Sequence, residues 1–281
     1  MSAPAAQPFF LPATAGQRFC LYYPAAGDVC RGAVLYVHPF GDEMNKSRRM
    51  AALQARALAA LGYAVLQIDL HGCGDSSGGF ADASWDGWIA DVHAAAAWLA
   101  TRHPDAPLTL WGHRAGCLLA TAAAAASNTP CRFLFWQPPA SGKLLLQQFL
   151  RLRAAAEMHG GDSKAVMEKI KRDLAEGRAV DIAGYALPAA LAQGLEGATM
   201  APPAAVPAAS SATAVVWLEV GSGQDPTLLP ALLPASLPRI EAWRAAGHTV
   251  HAQAVRGPAF WQTQEIEDAP LLIDATVAAL S

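Results

Sequence analysis

Short apolar runs alternate with longer segments of helical periodicity along most of this chain. Seven runs are rich in β-branched or aromatic residues and nearly continuous in apolar character: Phe19–Tyr23, Ala33–His38, Ala64–Asp69, Leu108–Trp111, Phe133–Trp136, Val215–Val220 and Thr249–Val255. So few residues with so little alternation suit strands covered on both faces, and predict a parallel sheet. Between them, Lys46–Leu61, Trp85–Thr101, Ala115–Ser127, Lys143–Met158, Leu237–Ala246 and Pro270–Leu280 carry helical spacing. The alternation predicts an α/β chain: a mostly parallel, doubly wound sheet with helices on both faces.

Two stretches depart from that rhythm. The first 18 residues are rich in Pro and Ala and predict an extension across the surface, with the domain proper running from residue 19 to 281. Residues 160–213 hold a charged amphipathic helix over Asp162–Arg178 and a second helical stretch over Tyr185–Leu195. A run of Ala, Pro and Ser from Met200 to Thr213 follows. This reads as a small insertion or lid over one end of the sheet followed by a linker. An ordinary crossover helix with a long loop is the other reading.

Composition sharpens this picture by exclusion. Of 281 residues 53% are apolar and 15% charged, against roughly a quarter charged in an average globular chain, so disorder is excluded. The net charge of −3 and the lack of a basic block argue against nucleic acid. The most apolar long stretch, Ala115–Ala126, is too short to span a membrane, and the N-terminus lacks a signal-peptide core. Cys20, Cys30, Cys73, Cys117 and Cys131 are odd in number and scattered, which suits free thiols in a reducing cytoplasm. No metal-ligand spacing occurs, so neither metal nor cofactor is expected.

The most informative segment is Gly112-His113-Arg114-Ala115-Gly116, where a strand ends and an alanine-rich helix begins. Two glycines flanking three residues allow a sharp turn with strand and helix backbones in close approach. The turn lifts its central side chain to the carboxyl end of the sheet, where ligands bind in α/β folds.

Together with two other segments, this turn resembles the α/β-hydrolases. Val34–Gly41, through His38-Pro39-Phe40-Gly41, resembles that superfamily's strand and oxyanion loop. Asp69-Leu70-His71-Gly72-Cys73-Gly74-Asp75-Ser76-Ser77-Gly78 resembles its D-x-R-G-x-G-x-S segment, with His71 in the Arg place. Gly112–Gly116 resembles its nucleophile elbow. A narrower resemblance lies in His38–Arg49, the arginine elbow and Gly257-Pro258-Ala259-Phe260-Trp261. These are similar to the "hydrolase 2, exosortase A system-associated" proteins. That likeness implies a setting in exopolysaccharide synthesis and exosortase/PEP-CTERM protein sorting, with proteins of those systems as partners.

The elbow, however, carries Arg114 where a serine belongs, and a guanidinium is no nucleophile at neutral pH. The turn after the last strand, Val255–Gln262, holds no histidine; His248 and His251 lie before or within the strand. The acid position offers Asp225 or Glu219. Ser-His-Asp chemistry is therefore not expected, and the chain reads as a pseudoenzyme. The catalytic candidates are Glu43, His113 and Asp225. A genuine esterase or thioesterase with an unorthodox site would have Glu43, His113 or Asp75 activate water. A scaffold protein would use residues 160–213 for docking.

What the elbow keeps is an anion site. The N–H groups of Ala115 and Phe40, the start of a helix and the Arg114 cation suit a carboxylate, a phosphate or a sugar bearing one. Glu43 and Asp75 border the expected pocket, and Trp261 offers a stacking surface. Arg114 has two readings: it binds a ligand, or it forms an internal ion pair with Asp225, Glu219 or Glu43. Asn45 is the expected N-cap of the first helix.

Overall fold

The structure is a computed structural model that describes residues 5–127, 129–156, 163–203, 214–221 and 230–281. Its strands are β1 (Gln7–Pro12), β2 (Gln17–Tyr23), β3 (Gly32–Val37), β4 (Tyr63–Ile68), β5 (Leu108–His113), β6 (Cys131–Trp136), β7 (Val180–Ile182), β8 (Tyr185–Leu187), β9 (Ala214–Gly221) and β10 (Thr249–Arg256). Its α-helices are α1 (Asp42–Ala60), α2 (Trp85–Arg102), α3 (Ala115–Ala125), α4 (Gly142–Ala156), α5 (Ser163–Ala175), α6 (Ala189–Gly197), α7 (Leu237–Ala245) and α8 (Pro270–Leu280). All seven predicted strands form, with ends within two residues of expectation.

Among the described residues eight strands make one sheet in the order β1-β2-β4-β3-β5-β6-β9-β10. β1 and β2 run antiparallel, as do β2 and β4; the remaining pairs are parallel. Both faces are apolar because the strands alternate between two cores. Leu35, Leu66 and Leu110 face the layer of α2 and α3, while Val34, Val65 and Trp111 face the layer of α1 and α8. Each parallel strand ends at the same edge, so the loops after β3 and β5 meet there.

The N-terminal residues differ from expectation. Residues 7–12 are the outermost strand of the sheet, paired with β2, not a surface extension. Pro8 and Pro12 fit because only an edge strand tolerates a missing N–H. Phe9 stacks on Trp98 at 4.6 Å, which fixes the register.

The segment from α4 to α6 lies between β6 and β9. Its two ends meet where Ser141 pairs with Thr199 and the Gly142 N–H donates to the Ala198 carbonyl, so α4 groups with α5 and α6. The expected helix from Tyr185 instead opens as strand β8, paired with β7 across the turn at Ala183 (φ 52°) and Gly184 (φ 86°). A helix starts only after Pro188, whose β-region backbone caps α6. Met200 is buried and its carbonyl accepts from Trp243 Nε1, so the expected linker is anchored at its start. The rest of that run, residues 204–213, lies outside the described residues. Among the described residues no helix is long and apolar enough to cross a membrane. All five cysteines are free.

Candidate functional site

The turn between β5 and α3 has the strained geometry of a nucleophile elbow. Arg114 sits at φ 53°, ψ −118°, a region that costs a non-glycine residue about 1–3 kcal/mol. Its N–H donates to the Trp136 carbonyl and its own carbonyl accepts from Cys117 N–H, which lock the turn. The flanking glycines are required by close approach. A Cβ on Gly112 would stand 2.5 Å from Cys117 Cα, and one on Gly116 would stand 1.9 Å from the Val37 carbonyl oxygen.

The Arg114 side chain reaches across to α1. Its Nη2 lies 3.0 Å from Glu43 Oε1, and its Nε lies 3.2 and 3.3 Å from Oε1 and Oε2. Both side chains are largely withdrawn from water, at 10% and 23% exposure. Of the proposed carboxylate partners among the described residues, Glu43 is the one in contact. Glu219 is committed elsewhere: Oε1 accepts from Trp217 Nε1 and Oε2 from the Leu233 N–H. Asp225 lies outside the described residues. Asp42 and Glu43 occupy the first turn of α1, where negative charge meets the helix dipole favourably. Gly41, not Asn45, caps that helix, and Asn45 Nδ2 donates to Tyr185 Oη.

The ion pair borders a cavity of about 420 Å³. Its lining is polar at Asp42, Glu43, Lys46, Arg114, Gln148 and Gln262, and apolar at Phe40, Leu145, Phe149, Leu152 and Trp261. The α4 contributions had no motif to announce them. The run Leu144-Leu145-Leu146-Gln147-Gln148-Phe149-Leu150 carries more apolar residues than one buried stripe needs, and that excess was the available signal. Phe40 and Ala115 stand where expected. Among the described residues neither of their N–H groups has a protein acceptor.

The other candidates are placed differently. Asp75 is exposed and does not line the cavity; its N–H donates to Asp69, whose carboxylate also pairs with Arg48 at 2.9 Å. Ser76 and Ser77 stitch this loop to β2 by accepting from the N–H groups of Phe19 and Gln17. His38 Nδ1 bonds the Pro39 carbonyl and Nε2 accepts from the Leu70 N–H, so it braces the loop after β3. Cys117 is buried at the sheet, and burial pushes its thiol up, as burial pushes Cys131 up to about 12.

His113 faces the α1 and α8 layer, on the same side of β5 as Trp111, and not the cavity. Its ring packs 5.2 Å from Phe260 and 5.5 Å from Trp261, the residues in the turn that lacks a histidine. It is fully buried and neither ring nitrogen has a partner. Burial, reinforced by the Arg114 charge, holds its pKa well below 6.5, so it is neutral in the fold. Burial lowers His38 likewise. The unfolded chain takes up these protons first as pH falls. Stability is therefore full above pH ~6.5 and declines below it, by up to about 1.4 kcal/mol per pH unit for each histidine. Replacing His113 with Phe removes two unmatched polar atoms and is expected to stabilise by about 1–2 kcal/mol at neutral pH. It should also flatten the acid limb of a urea-unfolding series measured between pH 4 and 8.

A larger cavity, about 500 Å³, opens at the opposite ends of the strands between α2 and α3. Alanine is the commonest residue in its lining. His93 and His103 at its edge already bond the Ala123 carbonyl and Tyr22 Oη.

Residues 28–159 match the family described as "Serine aminopeptidase, S33". Protein ABHD12B from Homo sapiens is 30% identical over 105 residues, which are 37% of this chain and 28% of that protein. Lysophosphatidylserine lipase ABHD12 from Xenopus tropicalis is 28% identical over 126 residues, 45% of this chain and 30% of that protein. The match thus spans less than a third of either relative's length. Among solved structures, Est1E from Butyrivibrio proteoclasticus with ferulic acid bound superposes with a TM-score of 0.65 at 16% identity, covering 96% of each chain. A soluble variant of monoglyceride lipase from Saccharomyces cerevisiae gives 0.64 at 14% identity, covering 100% of this chain and 96% of its own. At these identities the likeness is one of fold.

Proposed function

This chain is an α/β-hydrolase-fold protein, and we propose that it binds an anionic or sugar-linked ligand at its elbow instead of carrying out Ser-His-Asp hydrolysis. The observation that carries this reading is Arg114 itself, a cation held at a strained elbow and aimed at a cavity of about 420 Å³. An arginine that served only to plug a dead site would need no open volume beside it. The start of α3 adds a partial positive charge at the same point. Nucleophilic hydrolysis is disfavoured by two further features. Phe260 and Trp261 fill the turn that lacks a histidine, and His113 is sealed off from the cavity.

The setting we propose is the cytoplasmic side of exosortase A and exopolysaccharide systems. It rests on the three segments that resemble those proteins. Glu43, Arg114 and Trp261 come from one segment each, and all three line the one cavity. The partial match to proteins named lysophosphatidylserine lipase is compatible with a ligand that joins an anionic head to an apolar portion.

The test pairs turnover with binding. Wild-type protein should hydrolyse p-nitrophenyl butyrate no faster than buffer, and should bind glucuronate or glucose 1-phosphate in a titration that Arg114→Ala weakens at least about tenfold. Ester turnover that disappears on substitution of Glu43 would instead favour the unorthodox hydrolase.

A further inference from the structure

Arg114 has a second edge. A planar guanidinium offers two forked faces to carboxylates, Nε with Nη2 and Nη1 with Nη2. Glu43 occupies the first of these. Among the described residues the second has no protein acceptor. Glu43 is equally under-used, since its Oε2 accepts only the 3.3 Å contact from Nε. A cationic edge without a described acceptor and a carboxylate oxygen with a single contact therefore belong to one ion pair that lines the cavity.

The charges lining the cavity already balance. Arg114 pairs with Glu43, and Lys46 pairs with Asp42 at 2.9 Å, so the four sum to zero. A purely anionic ligand would leave the withdrawn site with one negative charge in excess. A ligand with a carboxylate and an adjacent ammonium would add none: its carboxylate takes the free edge of Arg114, and its ammonium reaches Glu43. Unpaired charge in a partly desolvated site is costly, so the balanced ligand is favoured. The apolar part of the lining suits an apolar substituent on the same molecule. Phe40 and Phe149 meet there edge to face, with ring centroids 5.0 Å apart.

From this we infer that the ligand is zwitterionic at its head, an α-amino-acid-type group with an apolar substituent seated on Phe40 and Phe149. The inference rests on the reading that Arg114 takes the ligand's anionic group.

Three probes of one shape separate the possibilities: L-phenylalanine, L-3-phenyllactate and 3-phenylpropionate. They share carboxylate and ring, and carry an ammonium, a hydroxyl or nothing beside the carboxylate. In calorimetric titrations at neutral pH, phenylalanine should bind wild-type protein at least about tenfold tighter than phenylpropionate, with phenyllactate between them. Glu43→Gln should bring phenylalanine and phenylpropionate to within about twofold of each other, and Glu43→Asp, which keeps the charge, should retain the preference. Circular dichroism confirms that each variant is folded. Phenylpropionate binding as tightly as phenylalanine, in a manner that needs Arg114, overturns the inference and leaves the anion-binding reading standing. A preference that persists in Glu43→Gln also overturns it. No binding of any of the three overturns the inference, and the glucuronate titration then decides separately whether Arg114 takes an anionic group.

Discussion

Replacing Gly116 with alanine is expected to destabilise the protein by about 3 kcal/mol or more, because the new methyl group has no room and no flexible neighbour to yield. Its Cβ would lie 1.9 Å from the Val37 carbonyl oxygen, 2.7 Å from that carbonyl carbon and 2.9 Å from the His38 carbonyl oxygen. All three are backbone atoms at the end of a central strand. Relief requires α3 to retreat from β3, which carries Arg114 and Ala115 away from Phe40. The same substitution should therefore weaken ligand binding at the elbow. Gly197, at the end of α6, is the control: a Cβ there meets nothing within 4 Å, and Gly197→Ala should be close to neutral. Urea unfolding of both variants measures the difference. Equal stability in the two would show that the strand and helix do not pack as closely as the elbow demands.

The second large effect lies below the site. Arg18 of β2 and Asp91 of α2 form an ion pair of 2.7 Å with both side chains 4% exposed. Asp91 Oδ2 also accepts from the His71 N–H, so one carboxylate joins a strand, a helix and the loop of Asp69–Gly78. Asp91→Ala should cost about 3–5 kcal/mol, since it strands a buried guanidinium with only carbonyl partners such as that of Ala15. Removing both charges with Arg18→Met and Asp91→Leu together should recover most of that loss, because the pair's mutual attraction is largely offset by its desolvation. Thermal unfolding of the single and double variants decides this. A double variant as unstable as Asp91→Ala alone would mean that the pair contributes through geometry that apolar side chains cannot replace.

The body of the sheet was legible in the sequence because a strand buried on both faces must be apolar throughout. The elbow was legible because its glycines answer a steric demand that the backbone makes locally. Glu43 as the partner of Arg114 was one of three open choices, since the pairing spans 71 positions and depends on how α1 leaves the loop after β3. The role of α4 was not legible. Leu145, Phe149 and Leu152 reach the cavity because the segment between β6 and β9 closes on itself at Ser141 and Thr199, a tertiary contact that no local pattern encodes. His113 misled for a related reason. Adjacency to Arg114 in sequence suggested a shared pocket, but alternation along β5 puts His113 on the side of Trp111, while the turn at Arg114 leads the guanidinium to the cavity. β1 was missed because its prolines read as a coil signal, although both sit on an edge strand that tolerates them.

The measurement that bears most directly on an arginine-centred binding site is a calorimetric titration of glucuronate into wild-type and Arg114→Ala protein. Saturable binding to the wild type that is lost in the variant is the expected result. Equal binding to both, or none to either, would contradict it.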